Sequence, residues 1–242
     1  TMNIEDYSIG GDSFQNNHIV VFANQKGGVG KTTICAHFAN YLANFRKVPV
    51  LVIDADLQHS LLDQREDDLK RIEGKPPYII QGLSLTNPQN VKTFMEYCKG
   101  LPGTVLVDAP GNLSQQGLEE VFVASEFIFV PFYYDINSIR STRTFVLTIL
   151  KLCKKHPNMK PHLVFFCNRK RKGVGKGDEV SQWKLLDKFF SQFGKVVDPI
   201  GEYQDIVRYN TIESSKSVVE HLKVRFDDFY HIIYNIKEED DD

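Results

Sequence analysis

The chain has 242 residues, enough for one sizeable core, and its hydrophobic (42%) and charged (25%) shares are those of a globular protein. No apolar run approaches the roughly 20 residues of a bilayer span, and the polar, acidic first residues lack the basic start and apolar stretch of a secretion signal, so a cytoplasmic protein is expected. Four scattered cysteines (Cys35, Cys98, Cys153, Cys167) without CxxC spacing or paired histidines argue against a disulfide or zinc framework.

Along the chain, residues 1–17 read as a flexible extension, 18–236 as one domain and 237–242 as a frayed acidic tail, with no internal repeat or low-complexity linker. Apolar runs at 18–23, 48–53, 104–107, 127–131, 163–167 and 196–200 do not alternate with polar residues. That is the pattern of strands buried on both faces of a parallel sheet. After the first run, Ile34, Phe38, Leu42 and Phe45 recur at helical steps, predicting a helix with one buried face. The charged stretch 64–77 is expected to be mobile. Phe145, Ile149 and Leu152 repeat the helical spacing until Pro157 stops it. Strands alternating with helices predict an α/β fold: a doubly wound, mostly parallel sheet of the P-loop NTPase type, with helices on both faces.

The net charge of −2 hides an asymmetry. Between residues 136 and 177 there is no Asp or Glu, but there are eleven Lys and Arg, so the rest of the chain carries −13 (−2 minus +11). Charge so segregated bears on partners more than on fold.

The chemistry starts between the first strand and the first helix, at Gln25-Lys26-Gly27-Gly28-Val29-Gly30-Lys31-Thr32-Thr33. Glycines allow backbone N–H groups to close around phosphate oxygens, and a helix N-terminus adds its positive dipole end. Lys31 is expected to bridge the β- and γ-phosphates, and the Thr32 hydroxyl to ligate Mg2+. Gln25 occupies the first glycine position of the ordinary loop, and Lys26 is an additional lysine five residues before Lys31. Farther on, Asp54 and Asp56 close the second apolar run in Asp54-Ala55-Asp56-Leu57-Gln58, and Asp108 ends the third in the arrangement that holds Mg2+ through water. Asn168 ends a later strand, and an Asn side chain can pair with an adenine edge.

Lys-Gly-Gly-Val-Gly-Lys-Thr-Thr resembles the deviant Walker A loop of the ParA/MinD superfamily of ATPases, and the likeness extends from Val20 to about Val219. The length matches the small ParA type without an N-terminal helix-turn-helix domain. The resemblance implies ATP and Mg2+ as cofactors, with Gly27, Gly28, Val29, Gly30, Lys31, Thr32 and Thr33 around the nucleotide. It also implies that Lys26 reaches the partner's phosphates in an ATP-bound homodimer, and that Asp56 orients the attacking water with Asp54 in support. Metal ligation falls to Thr32, Asp54 and Asp108, and adenine recognition to Asn168. Leu57 replaces the usual proline, His59 a usual small residue, and Gly111 a proline after Asp108.

The family serves several functions. A partition ATPase, bound to duplex DNA without sequence preference and stimulated by a ParB-like centromere-binding protein, accounts for the basic segment. Arg169, Lys170, Arg171 and Lys172 are its candidate DNA contacts, and nucleoid association follows from it. A MinD-like membrane protein would need a basic apolar terminal helix; 222–236 has the apolar residues, but Asp227, Asp228 and the acidic tail disfavour anionic lipid, so no membrane is expected. A small-molecule enzyme of the dethiobiotin synthetase or cobyrinate amidation type would need neither Lys26 nor the basic segment. An iron–sulfur carrier or nitrogenase iron protein relative would need paired cysteines.

Overall fold

A computed structural model of the chain describes residues 17–171 and 177–239, apart from the side chains of 235–239. The expectations for residues 1–16 and 240–242, and for Lys172 as a DNA contact, lie outside the described residues.

Seven strands form one sheet, all parallel, in the order β3-β2-β4-β1-β5-β6-β7. They are β1 (Asn17–Phe22), β2 (Val50–Asp54), β3 (Ile79–Gly82), β4 (Gly103–Asp108), β5 (Phe127–Phe132), β6 (His162–Cys167) and β7 (Lys195–Val197). β2, β4 and β5 are buried throughout, and β1 is buried after Asn17, which is why their sequences run apolar without alternation. Alternate side chains feed two cores. One face holds α1 (Lys31–Tyr41) and α8 (Lys216–Glu239), where Phe38, Phe226 and Phe229 meet Phe22 and Phe129. The other holds α3 (Pro88–Cys98), α4 (Leu118–Ala124), α5 (Ile136–Lys155) and α6 (Gly177–Phe190). α2 (Ser60–Arg71) and the short α7 (Gln204–Val207) complete the chain.

Several expectations are corrected. Residue 17 belongs to β1, not to an extension; its side chain donates to the carbonyls of Cys98 and Leu101. α8 continues to Glu239, so residues 237–239 are helical. β3 escaped the sequence because Ile79-Ile80-Gln81-Gly82 is a short, half-buried edge strand. Phe45 is 53% exposed. The chain passes from α1 into a π-helical turn, Leu42–Arg46, whose wider winding carries Phe45 off the buried face that Ile34, Phe38 and Leu42 share. Within the stretch 64–77, residues 64–71 belong to α2, and Arg65 and Asp68 are buried in it. Charge density misled there because buried charges with internal partners look like surface charges in a sequence.

Candidate nucleotide site

In a parallel sheet the crevice lies beyond the carboxyl ends of the strands, where successive connections leave in opposite directions. β1 is followed outward by β4 on one side and β5 on the other, so the loop leaving β1 stands at that point. Asn24, fully buried, fixes its start by donating to the Pro131 carbonyl (2.8 Å) and Thr142 Oγ1 (2.8 Å). Gly28 and Gly30 then take φ of 75° and 91°, conformations that other residues adopt only with strain. At Gly30 a side chain would also collide with the Asn168 amide.

The loop delivers the N-terminus of α1 with no side-chain cap and no acidic residue in its first turn. Its unpaired N–H groups and dipole therefore suit an anion. Lys31 opens this helix, 8% exposed, with Nζ 3.4 Å from the Lys26 carbonyl. Burial pulls its pKa down, against the opposing influence of Asp108 and Asp56. Thr32 Oγ1 donates to Asp108 Oδ2 at 2.6 Å. The other carboxylate oxygen, Oδ1, is buried with no hydrogen-bond partner among the described residues. Burial raises the Asp108 pKa to about 7, while the Thr32 bond and Lys31 oppose the rise.

A hard cation such as Mg2+ binds through one or two protein oxygens plus phosphates and water, and needs no cage of acidic residues. Asp108, with its orphaned oxygen, and the adjacent Thr32 hydroxyl fit it. The Asp54 carboxylate accepts from the backbone N–H groups of Asp56 (3.3 Å), Leu61 (3.0 Å) and Leu62 (3.3 Å), and so anchors the start of α2. Asp56 is half-buried, and its Oδ1 accepts from Gln58 N–H (3.1 Å). Lys26 is half-buried too, with Gly27 and Gly28 exposed beside it. Thr33 lies in the first turn of α1.

The β5 and β6 ends close the other side. Asn168, 2% exposed, donates from Nδ2 to the Val29 carbonyl (2.9 Å) and accepts the Arg169 N–H on Oδ1 (3.0 Å). Tyr133 Oη donates to the Gly28 carbonyl at 2.6 Å. A cavity of about 440 Å³ opens here, lined among others by Tyr133, Tyr134, Asn168, Lys170 and Trp183. Tyr134 and Trp183 stack at 4.8 Å, with the Lys170 ammonium 5.5 Å from the indole. The sequence pointed to Asn168, but not to Tyr133, Tyr134 or Trp183. An aromatic pair just past a strand end was the available signal.

The basic segment divides. Arg169, Lys170 and Arg171 follow β6 at the carboxyl edge of the sheet, while α5 runs back from that edge and leaves Lys154 and Lys155 in its last turn at the opposite one. Lys155 pairs with Glu119 (2.7 Å) and Arg171 with Glu202 (2.6 Å).

The CobQ/CobB/MinD/ParA nucleotide-binding domain family matches residues 20–239. The chain belongs to that family. A curated relative, the virulence plasmid ParA family protein pGP5-D of Chlamydia muridarum (strain MoPn / Nigg), is 29% identical over 57% of this chain and 64% of its own length, so less than two thirds of that relative is spanned. Among solved structures, a plasmid partition protein of Borrelia burgdorferi B31 bound to AMPPNP superposes with TM-score 0.67 at 17% identity, covering 90% of this chain and 100% of that one. The MinD cell division protein of Aquifex aeolicus gives TM-score 0.62 at 19% identity, covering 85% and 90%. These two likenesses are of fold alone. Family membership makes the chain a nucleotide-binding domain of the ParA/MinD ATPase type, and the predicted α/β P-loop fold is the observed one. No described helix is long and apolar enough to cross a membrane.

Proposed function

We propose that the chain is a ParA-like partition ATPase that binds Mg-ATP in the β1–α1 loop, dimerises through it, and in that state holds duplex DNA without sequence preference. The observation that carries the reading is the half-satisfied Lys31–Thr32–Asp108 cluster under an uncapped helix N-terminus, in a loop that also presents Lys26. Bound Mg2+ supplies charge neutralisation for the phosphates. Lys31 and the N–H groups of 27–33 hold and orient the β- and γ-phosphates, and Thr32 with Asp108 holds the cation. Asp56 positions water at the γ-phosphate. Lys26 reaches the partner's phosphates, so hydrolysis waits for the dimer. A ParB-like centromere-binding protein is the expected stimulating partner, and Asn168 is the residue expected to meet the adenine base.

A membrane role of the MinD kind is less well supported. The apolar residues of α8 (Phe226, Phe229, Ile232 and Ile233) are each at most 4% exposed and already packed in the core. The small-molecule enzyme reading leaves Lys26 without a task.

Sedimentation with ATP and Mg2+ tests the central claim. Wild type is expected to shift to dimer. Lys26→Ala should stay monomeric, bind nucleotide nearly as wild type, and lose turnover by roughly 100-fold or more, the scale of one lost transition-state donor. A Lys26→Ala protein that still dimerises with ATP would refute the trans lysine.

A further inference from the structure

We propose that the groove between β3 and α2 takes an extended segment of another protein, added to the sheet beside β3, with alternate apolar side chains and a lysine or arginine facing Glu66. The proposal is independent of the partition reading above. β3 ends the sheet: it pairs with β2, and among the described residues nothing pairs with its other edge. The Leu83 N–H donates to the Asp54 carbonyl (2.9 Å). Along an alternating strand, the backbone groups of 79, 81 and 83 therefore face β2, and those of 78, 80 and 82 face outward. Two outward groups are met from within the chain: the Tyr78 carbonyl accepts from Arg65 Nη1 (2.8 Å), and the Gly82 carbonyl from the Gln81 amide (3.2 Å). The N–H and carbonyl of Ile80 and the N–H of Gly82 have no partner among the described residues. β3 carries neither lysine nor proline, residues that commonly guard an edge.

Side-chain space lies beside this edge, in an open cavity of about 560 Å³. Leu62, Glu66 and Leu69 line it from α2, at steps of four and three along one helix face. Pro76 and Ile80 add apolar surface from the strand side. Leu69 is 44% exposed, a large apolar side chain with room for a neighbour. An added strand points every second side chain to the same face, so apolar residues at alternate positions reach Leu62, Leu69 and Ile80 together.

Charge selects the occupant. Two charged side chains line the groove, and they stand differently. Arg65 is buried and donates to Thr211 and to the Tyr78 carbonyl. Glu66 is exposed and has no ion pair among the described residues; Lys70, one turn on, pairs with Asp67 instead (3.0 Å). The groove therefore offers one uncompensated carboxylate, which a basic side chain complements. A second copy fits less well, because an isologous pairing of two β3 edges presents each groove with another Glu66 in place of a cation. A small molecule leaves the Ile80 and Gly82 backbone groups unmet.

The probe is a short capped fluorescent peptide of alternating valine and threonine with one central lysine, titrated against the full chain without nucleotide. Saturable binding is expected with a Kd below about 1 mM, together with slowed hydrogen exchange at the Ile80 and Gly82 amides and no change at Gln81. Ile80→Pro deletes an outward N–H without taking a bond from β2, and should weaken binding at least about tenfold. Glu66→Lys, on an exposed helix position, should weaken it roughly two- to fivefold, and a peptide with glutamate in place of the lysine should reverse that preference. N-methylation of the peptide at alternate residues keeps its side chains, and should abolish binding in one of the two phases only; this decides the question if Ile80→Pro does not fold. No saturation at about 1 mM, or binding that neither Ile80→Pro nor N-methylation in either phase weakens, overturns the proposal. A nucleotide-free dimer that Ile80→Pro dissolves also overturns it, and gives the edge to a second copy.

Discussion

Two clusters of buried polar side chains include residues of α1, one at its first turn and one at His37 and Asn40, and they are built on opposite terms. Beside α2, Arg65 donates to Thr211 Oγ1, the Thr211 carbonyl and the Tyr78 carbonyl, each at 2.8 Å, and lies over the Tyr78 ring. Asp68 accepts from Thr211 N–H (2.6 Å), Thr211 Oγ1 (2.8 Å) and Gln64 (2.8 Å). Tyr78, Asn40, Ser214 and His37 continue the chain of bonds toward α1. Under the phosphate loop, by contrast, Asp108 keeps a buried oxygen without a partner among the described residues, and Lys31 has a long contact to a carbonyl. Burial drives the two pKa values toward neutral forms, down for Lys31 and up for Asp108. A closed cluster of charges holds elements in place; an open one keeps bonding capacity that charge from outside can take up. The closed cluster ties α2, whose start Asp54 anchors, to residues 210–215 ahead of α8. The open one faces the crevice.

The sharpest way to break this contrast is to open the closed cluster. Arg65→Ala removes the bonds to Thr211 Oγ1, the Thr211 carbonyl and the Tyr78 carbonyl, and leaves those buried acceptors short of a donor. A loss of about 3–5 kcal/mol is expected, since each buried acceptor left without its donor costs about 1–3 kcal/mol. Thermal or urea unfolding of the nucleotide-free protein would measure it. A loss below about 1 kcal/mol would mean that water reaches those acceptors and the cluster is not closed.

A smaller effect tests the same region by pH. His37 is buried, with Nε2 donating to the Ile206 carbonyl (2.9 Å) and Nδ1 beside Ser214 Oγ (3.1 Å). Burial lowers its pKa, with the Ile206 bond and Asp205 opposing the change. Between the folded value and the ordinary value near 6.5, the unfolded chain binds the proton and the folded one does not. The stability associated with His37 is therefore complete above about pH 6.5, and is lost as pH falls through the folded pKa. The slope for one proton cannot exceed about 1.4 kcal/mol per pH unit. His37→Gln keeps a donor toward the carbonyl and should flatten the acid side of a stability–pH curve. Parallel curves for the two proteins would assign the acid loss to another group.

What could be read before the fold was known follows from how local each feature is. Gly27 to Thr33 are contiguous, and backbone geometry at glycine fixes their job wherever they stand between strand and helix. Asp108 could be read because it ends a buried strand. Asp54 could be located but not interpreted, since its partners Leu61 and Leu62 are set by how the following turn folds back. Arg65 and Asp68 were misread because Thr211, which joins them, lies more than 140 residues away. Tyr133 and Trp183 carry no motif; the fold brings Tyr133 to the loop and Trp183 onto Tyr134 beside it. β3 and the turn that displaces Phe45 have no apolar period of their own.

The least disruptive change should be the most informative about function. Asp108→Asn replaces a buried carboxylate with a neutral amide of the same shape, whose carbonyl oxygen can still accept from Thr32. No charge is stranded except Lys31, which burial already pushes toward its neutral form. The nucleotide-free variant is therefore expected to unfold within about 1 kcal/mol of wild type, on either side, because removing an unpaired buried charge relieves as much as it costs. Ligand-linked stability should separate the two proteins. A ligand at a hundredfold excess over its Kd stabilises by about 2.7 kcal/mol, and wild type should show a melting shift of that order with saturating ATP and Mg2+. Asp108→Asn should show little Mg2+-dependent part of that shift, with the remainder, carried by Lys31 and the helix N-terminus, persisting in EDTA. Were the variant to unfold as badly as Arg65→Ala, the cluster under the loop would be a structural one, and its open oxygen an accident of packing.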